Sequence, residues 1–263
     1  MINFEDKEKM KTKPLMRFLF SILLLLASFH IYAQTKYAVL VSANTEWKSV
    51  KKNYPNERLL TSPWGEYFYK NIGNQKVLFF HEGWGKVAAA GATQYVIDQF
   101  KPTILINLGT CGGFEGEIER QEVVLADKTI IYDILEAMGD SKEAIADYTT
   151  AIDLSWLGKT YPVKVKKTTL ISADKDLRTE EIEKLKKEYH AVAGDWESGA
   201  IAYTAAKNNK KVIILRGVSD LVSSTQSEAH GNMNLFEERA HLVMTKLLNE
   251  LPLWIEQMEK VTK

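Results

Sequence analysis

Asp220 closes the apolar run Ile213-Ile214-Leu215-Arg216-Gly217-Val218-Ser219-Asp220, which reads as a buried strand passing into a small-residue turn. In an open α/β sheet ligands bind beyond the carboxyl ends of the strands, so an acid there stands where chemistry is done. A second run, Thr103-Ile104-Leu105-Ile106-Asn107-Leu108-Gly109, ends the same way in Thr110-Cys111-Gly112-Gly113. A third, Tyr37-Ala38-Val39-Leu40-Val41, leads through Ser42-Ala43-Asn44-Thr45 to Glu46. Three strand ends are thus candidates for one pocket, and two of them carry carboxylates. A poorly solvated carboxyl keeps its proton towards neutral pH, as general acid catalysis requires. Read in isolation, Asp220 is equally a turn or helix N-cap residue and Glu46 equally a surface Glu.

The elements that must position these residues alternate between strand and helix, which argues for an α/β domain. Residues 76–80 read as a strand, Gly83-Trp84-Gly85 as a turn, and residues 86–100 as a helix with Ala89, Ala92, Val96 and Phe100 at helical spacing. Pro102 stops that helix. Residues 122–126 and 164–171 read as further strands, and 178–190 as a charged amphipathic helix with Ile182, Leu185 and Tyr189 on one side. Asp195 can cap a helix running to about Asn208. A final helix over 235–258 contains Pro252, which is expected to kink or split it. Residues 138–162 carry the weakest pattern and are expected to form the mobile segment. No internal repeat or low-complexity linker interrupts the chain, so one domain is expected.

Composition excludes several classes of function. The 263 residues hold 34 basic and 34 acidic side chains. Lys11, Lys13 and Arg17 precede an apolar run over 18–29, too short to span a bilayer but suited to a signal-peptide core. Cleavage is expected after Ala33, giving a signal peptide over 1–33, a domain over 34–263, and a periplasmic or secreted bacterial protein with no stable membrane insertion. An uncleaved anchor is the alternative. Residues 1–33 contain five basic and three acidic side chains, so the remainder carries 29 and 31, a net charge of −2. That balance offers no footprint for nucleic acid. The single Cys111 cannot form an intramolecular disulfide, and it reads as a small buried residue. His81, His190, His230 and His241 lack metal-ligand spacing, so no metal is expected.

Four segments, in order, resemble the nucleoside phosphorylase/nucleosidase superfamily (purine nucleoside phosphorylase type I), and within it the bacterial 5′-methylthioadenosine/S-adenosylhomocysteine nucleosidase branch. They are Gly83-Trp84-Gly85-Lys86-Val87-Ala88-Ala89-Ala90, Ile106-Asn107-Leu108-Gly109-Thr110-Cys111-Gly112-Gly113, Trp196-Glu197-Ser198-Gly199-Ala200-Ile201-Ala202 and Arg216-Gly217-Val218-Ser219-Asp220. The likeness spans nearly all of residues 36–250. It implies a mixed central β-sheet flanked by helices, a small nucleoside substrate, no cofactor and a homodimer.

The resemblance also implies roles. Asp220 would protonate purine N7, Glu197 would bind the ribose hydroxyls, and Glu46 would activate the attacking water. Gly109, Thr110 and Ser219 join the implied substrate-binding set. Trp196 stands where the branch has a Met against the sugar. Asp176 stands where it has a base-stacking Phe, with Leu177 beside it supplying backbone contacts. Trp84 or Phe236 could replace that aromatic face. Phosphate needs fixed positive charge, normally a guanidinium. The related phosphorylases carry an Arg where this chain has Asn107, so water is the expected nucleophile. Adenine is the expected base, because an Asp at 220 accepts from an exocyclic amine or N7–H more readily than it suits an oxo group. Phosphorolysis and a non-catalytic nucleoside-binding protein on the same fold are the competing readings.

Overall fold

The computed structural model describes residues 35–261. The leader read over residues 1–33 lies outside them. In chain order come β1 (Tyr37–Val41), α1 (Asn44–Asn53), β2 (Leu60–Thr61), β3 (Glu66–Ile72), β4 (Gln75–His81), α2 (Gly85–Phe100), β5 (Ile104–Phe114) and β6 (Val123–Ile131). There follow α3 (Lys142–Asp147), β7 (Thr150–Ala151), β8 (Lys166–Ser172), α4 (Ile182–Tyr189), β9 (Ala193–Asp195), α5 (Ser198–Lys207), β10 (Lys211–Val222) and α6 (Met233–Val261). No helix among the described residues is long and apolar enough to cross a membrane.

Strand β1 is apolar and buried at every position, as a central parallel strand must be. It runs parallel to β4 on one side and β5 on the other. The sheet is mixed, in the order β10-β6-β8-β9-β5-β1-β4-β3-β2, and β10 pairs with β5 as well. Strands β5, β10, β6, β8 and β9 therefore close into a ring of pairings. Helices cover the sheet, with α2 packed on α5 and α1 on α6. Both helices bury small side chains, Ala89, Ala92 and Thr93 in α2 and Ala200, Ala202 and Ala205 in α5.

Two features of β5 and β10 place the site. Their parallel register sets Gly109 beside Arg216, Thr110 beside Gly217 and Gly112 beside Asp220. The register shifts between Val218 and Asp220, so Ser219 is the extra residue of a bulge that re-aims Asp220.

Several expectations change. The segment Gly109-Thr110-Cys111-Gly112-Gly113 is not a loop but the buried second half of β5. Its glycines answer crowding rather than turning: a Cβ on Gly112 would stand 2.8 Å from Leu177 Cδ1, and one on Gly113 2.8 Å from Val218 Cγ1. Ser219 and Asp220 likewise lie within β10 and not beyond it. Residues 138–162 carry α3, β7 and a 3-10 turn over Ser155–Leu157, and Ile152, Leu154 and Leu157 are buried in the main core. Sparse apolar residues hid these elements.

Pro252 splits nothing. Helix α6 runs unbroken past it, because Leu251, Trp254 and Ile255 bury around an exposed Pro252, and that packing outweighs one lost hydrogen bond. Helix α1 carries no conventional start signal. Its N-cap is Ala43, and the Glu46 carboxylate caps it by accepting the Ala43 N–H at 3.1 Å.

Candidate active site

A cavity of about 590 Å³ opens where the ends of β1, β5, β8, β9 and β10 meet. Glu46, Thr110, Asp176, Leu177, Trp196, Glu197, Ser219 and Asp220 all line it. Of the residues read as its parts, Gly109 alone does not reach the surface of the cavity. It forms the floor under Arg216 and Glu46.

Glu46 sits in the first turn of α1 at 1% exposure, far from the surface position that its sequence context equally allowed. Its Oε1 accepts the Thr110 N–H at 2.6 Å and the Thr110 hydroxyl at 2.8 Å. Two donors on one oxygen fix the carboxylate and leave Oε2 shared with the Ala43 N–H.

Arg216 is the principal residue that the motif reading passed over. Its guanidinium is 1% exposed and faces three carboxyl groups: Asp195 at 2.9 Å from Nε, Glu46 at 3.5 Å from Nη1 and Glu197 at 3.5 Å from Nη2. Burial works against its charge, but Asp195, Glu46 and Glu197 overcome this and raise its pKa above the ordinary arginine value. Asn107 does not face the ligand space. Its side-chain oxygen accepts from Arg216 Nε at 3.0 Å and its amide donates to Leu40 O at 3.0 Å, so it braces the arginine. Fixed positive charge is therefore present, contrary to the expectation from Asn107, but it is already met by acids. Among the described residues Nη2 finds no hydrogen-bond acceptor. One signal was legible: a lone charge inside the apolar run 213–218 demands buried partners.

Asp195 belongs to β9 and not to α5. It accepts Ser172 Oγ at 2.6 Å and the Ser198 N–H at 3.3 Å, so it ties the start of α5 to β8 while pairing with Arg216. Glu197 occupies the N-cap of α5 and accepts the Gly85 N–H at 3.2 Å. The N-terminus of α2 thus points at this carboxyl, an arrangement that favours its anion. Burial nevertheless dominates and pushes Glu197 up to about 8, against the attraction of Arg216 and with Asp195 and Glu46 adding to the rise.

Asp220 is 9% exposed. Burial raises its pKa, opposed by the Ser219 hydroxyl that donates to Oδ1 at 2.6 Å and by Arg239, and aided by Glu228 and Asp176. Around these acids the walls are apolar. Trp84 and Trp196 tilt against one another with ring centroids 6.3 Å apart, and Met233 and Phe236 contribute from α6. Both aromatics offered as substitutes for a stacking Phe, Trp84 and Phe236, reach the cavity. Cys111 lines it too, but burial raises its thiol well above the ordinary value, so it is no thiolate nucleophile.

Gly109 carries a prediction. A Cβ there would lie 2.2 Å from Arg216 Nη1 and 2.9 Å from Glu46 Oε1. Neither neighbour can yield, since each is held by several partners. Gly109→Ala is expected to lower the melting temperature by about 5 °C, the effect of roughly 2 kcal/mol in a domain of this size. Calorimetry checks this; an unchanged melting temperature would show that the Arg216 network is loose.

Residues 36–249 match the family described as the Phosphorylase superfamily. A 5′-methylthioadenosine/S-adenosylhomocysteine nucleosidase of Buchnera aphidicola is 27% identical over 237 residues, covering 85% of this chain and 98% of that protein. Another, of Thermotoga maritima, is 28% identical over 182 residues, covering 68% and 82%. Among solved structures, the Streptococcus pneumoniae MTA/SAH nucleosidase in complex with 8-aminoadenine superposes with a TM-score of 0.71 at 20% identity, covering 84% of this chain and 99% of that one. The Helicobacter pylori nucleosidase with butyl-thio-DADMe-Immucillin-A gives a TM-score of 0.69 at 15% identity, with 87% and 99% covered.

Proposed function

The chain belongs to the phosphorylase superfamily, and from that footing we propose that it is an N-ribosyl hydrolase acting on adenine nucleosides such as 5′-methylthioadenosine or S-adenosylhomocysteine. One observation carries the reading: Asp220, Glu197 and Glu46 line a single cavity, each held differently. Asp220, buried and inclined to keep its proton, protonates N7 of the purine. The C1′–N9 bond breaks with its electron pair leaving on the base, and positive charge develops at C1′. Glu197 holds the ribose hydroxyls beside the carbon on which that charge develops. Glu46, immobilised by Thr110, accepts a proton from water as the water oxygen bonds to C1′.

Water is favoured over phosphate because the charge of Arg216 is already opposed by Asp195, Glu46 and Glu197, and a dianion would be repelled by the same three groups. Trp196 beside Glu197 narrows the sugar end, and Trp84 or Phe236 supplies the face that Asp176 cannot. The likeness of the relatives named above supports the choice of substrate. Export through the leader over 1–33 and a homodimer are part of the proposal. The exposed Trp64, Trp84 and Val87, of which Trp84 lines the cavity, support the dimer.

The test is free-base release from methylthioadenosine, adenosine and inosine by residues 34–263, with and without phosphate. Adenine is expected without phosphate. Release only with phosphate would make the protein a phosphorylase, and silence throughout would favour a nucleoside-binding protein.

A further inference from the structure

Glu82 is a carboxyl that the proposed reaction leaves unused, and it is sealed away at 1% exposure. It directly follows β4 and precedes Gly83-Trp84-Gly85. Thr93 of α2 donates its hydroxyl to Oε1 at 2.7 Å, and Ser42, just after β1, donates to Oε2 at 3.2 Å. The Glu82 N–H donates to Val41 O at 2.9 Å, so backbone and side chain together hold the end of β1. The next residue along, Ala43, gives its N–H to Glu46 Oε2 at 3.1 Å. One peptide unit therefore separates the hydroxyl bound by Glu82 from the donor that orients Glu46.

We infer that Glu82 is a positioning residue that braces Ser42-Ala43 through its two hydroxyl hydrogen bonds and so sets the aim of Glu46. The inference rests on the hydrolase reading, in which Glu46 activates water. Burial pushes the Glu82 carboxyl up to about 8, against the Thr93 and Ser42 hydrogen bonds and the attraction of Arg216, with Glu46 adding to the rise. The charged groups facing it are Arg216 from β10 and Glu46 from α1, while α2 and the end of β1 present the Thr93 and Ser42 hydroxyls. His81, its chain neighbour, stacks instead on Trp47 with ring centroids 5.4 Å apart.

The fold favours the protonated form of Glu82, because its folded pKa lies above the ordinary 4.5. Relative to a solvated Glu, the stability that this form contributes is complete below 4.5 and is lost as the pH rises through about 8. Ionisation there sets a second anion behind Glu46 and repels it. Glu82→Gln keeps the neutral form at every pH, and Glu82→Ala removes the brace.

The experiment pairs pH–rate profiles of base release with melting curves from pH 5.5 to 9. Glu82→Gln is expected to lower kcat about threefold at pH 6, to leave KM within about twofold, and to move the alkaline limb up by about one pH unit. The limb shifts rather than vanishes because Asp220 and Glu197 also titrate upwards. Glu82→Ala is expected to lose roughly tenfold in kcat with little change in KM. The melting temperature of Glu82→Gln should gain on the wild type by several degrees as the pH rises. An unmoved alkaline limb overturns the inference, even if the melting difference grows. Wild-type protein that releases no base refutes the hydrolase reading separately. The melting curves then decide whether Glu82 holds its proton, and a difference constant with pH overturns that as well.

Discussion

Asp220→Asn is expected to reduce kcat for base release by about a thousandfold while leaving nucleoside Kd within about threefold, the split that general acid catalysis predicts. Asn has the shape of Asp and can still hydrogen-bond the base, so binding survives. It has no proton to give to N7, so the leaving group must depart as an anion. The wild-type profile should fall on its alkaline side, because a carboxyl raised by burial loses its proton as the pH passes its pKa, and only the acid form can donate. In Asp220→Asn the part of that dependence due to Asp220 should vanish along with the rate, and what remains should follow Glu82 and Glu197. Retention of full activity by the variant would remove Asp220 from the mechanism. Loss of binding in step with kcat would make it a recognition residue.

Arg216→Leu should have the largest effect on stability. The variant leaves Asp195, Glu46 and Glu197 facing one another in a dry site with no cation, and breaking a buried pair in this way costs about 3–5 kcal/mol. In a domain of this size that corresponds to a melting temperature lower by roughly 10 °C. The loss should depend on pH. Glu197 already sits at about 8 in the fold, above its ordinary 4.5, so the fold favours its neutral form. That contribution is complete below 4.5 and is lost as the pH rises through about 8. Arg216 restrains this upward shift, and its removal widens the window. The variant should therefore lie nearest to wild type at pH 5.5 and furthest from it at pH 9. A pH-independent deficit would mean that Arg216 acts through packing alone.

The family and its mixed α/β sheet were legible because periodicity and ordered glycine motifs survive in a linear chain. The apolar runs of β1, β5 and β10 announce buried strands, and the glycines beside them mark crowded backbone. Asp220 and Glu46 could be named from their places at strand ends, and Glu197 through the family resemblance. Trp196 and Asp176 were legible as departures. What the glycines crowd against was not: Gly109, Gly112 and Gly113 suggested a turn, whereas neighbours from β10, the loop before α4 and the chain after β5 made them a strand.

The ion network belongs to the tertiary structure. Arg216 reads as a charge stranded in a hydrophobic run until β5, α1 and β9 bring Asn107, Glu46 and Asp195 around it. Those partners come from segments up to 170 positions away, as the 46–216 pairing shows. Glu82 is silent in sequence for the same reason, since its two hydroxyl partners arrive from β1 and α2. Residue types and local spacing determined which elements form and which acids stand near their ends. Burial, which sets whether a carboxyl holds a proton, arises only when distant segments close over it, and so the chemistry of each acid was decided by the fold.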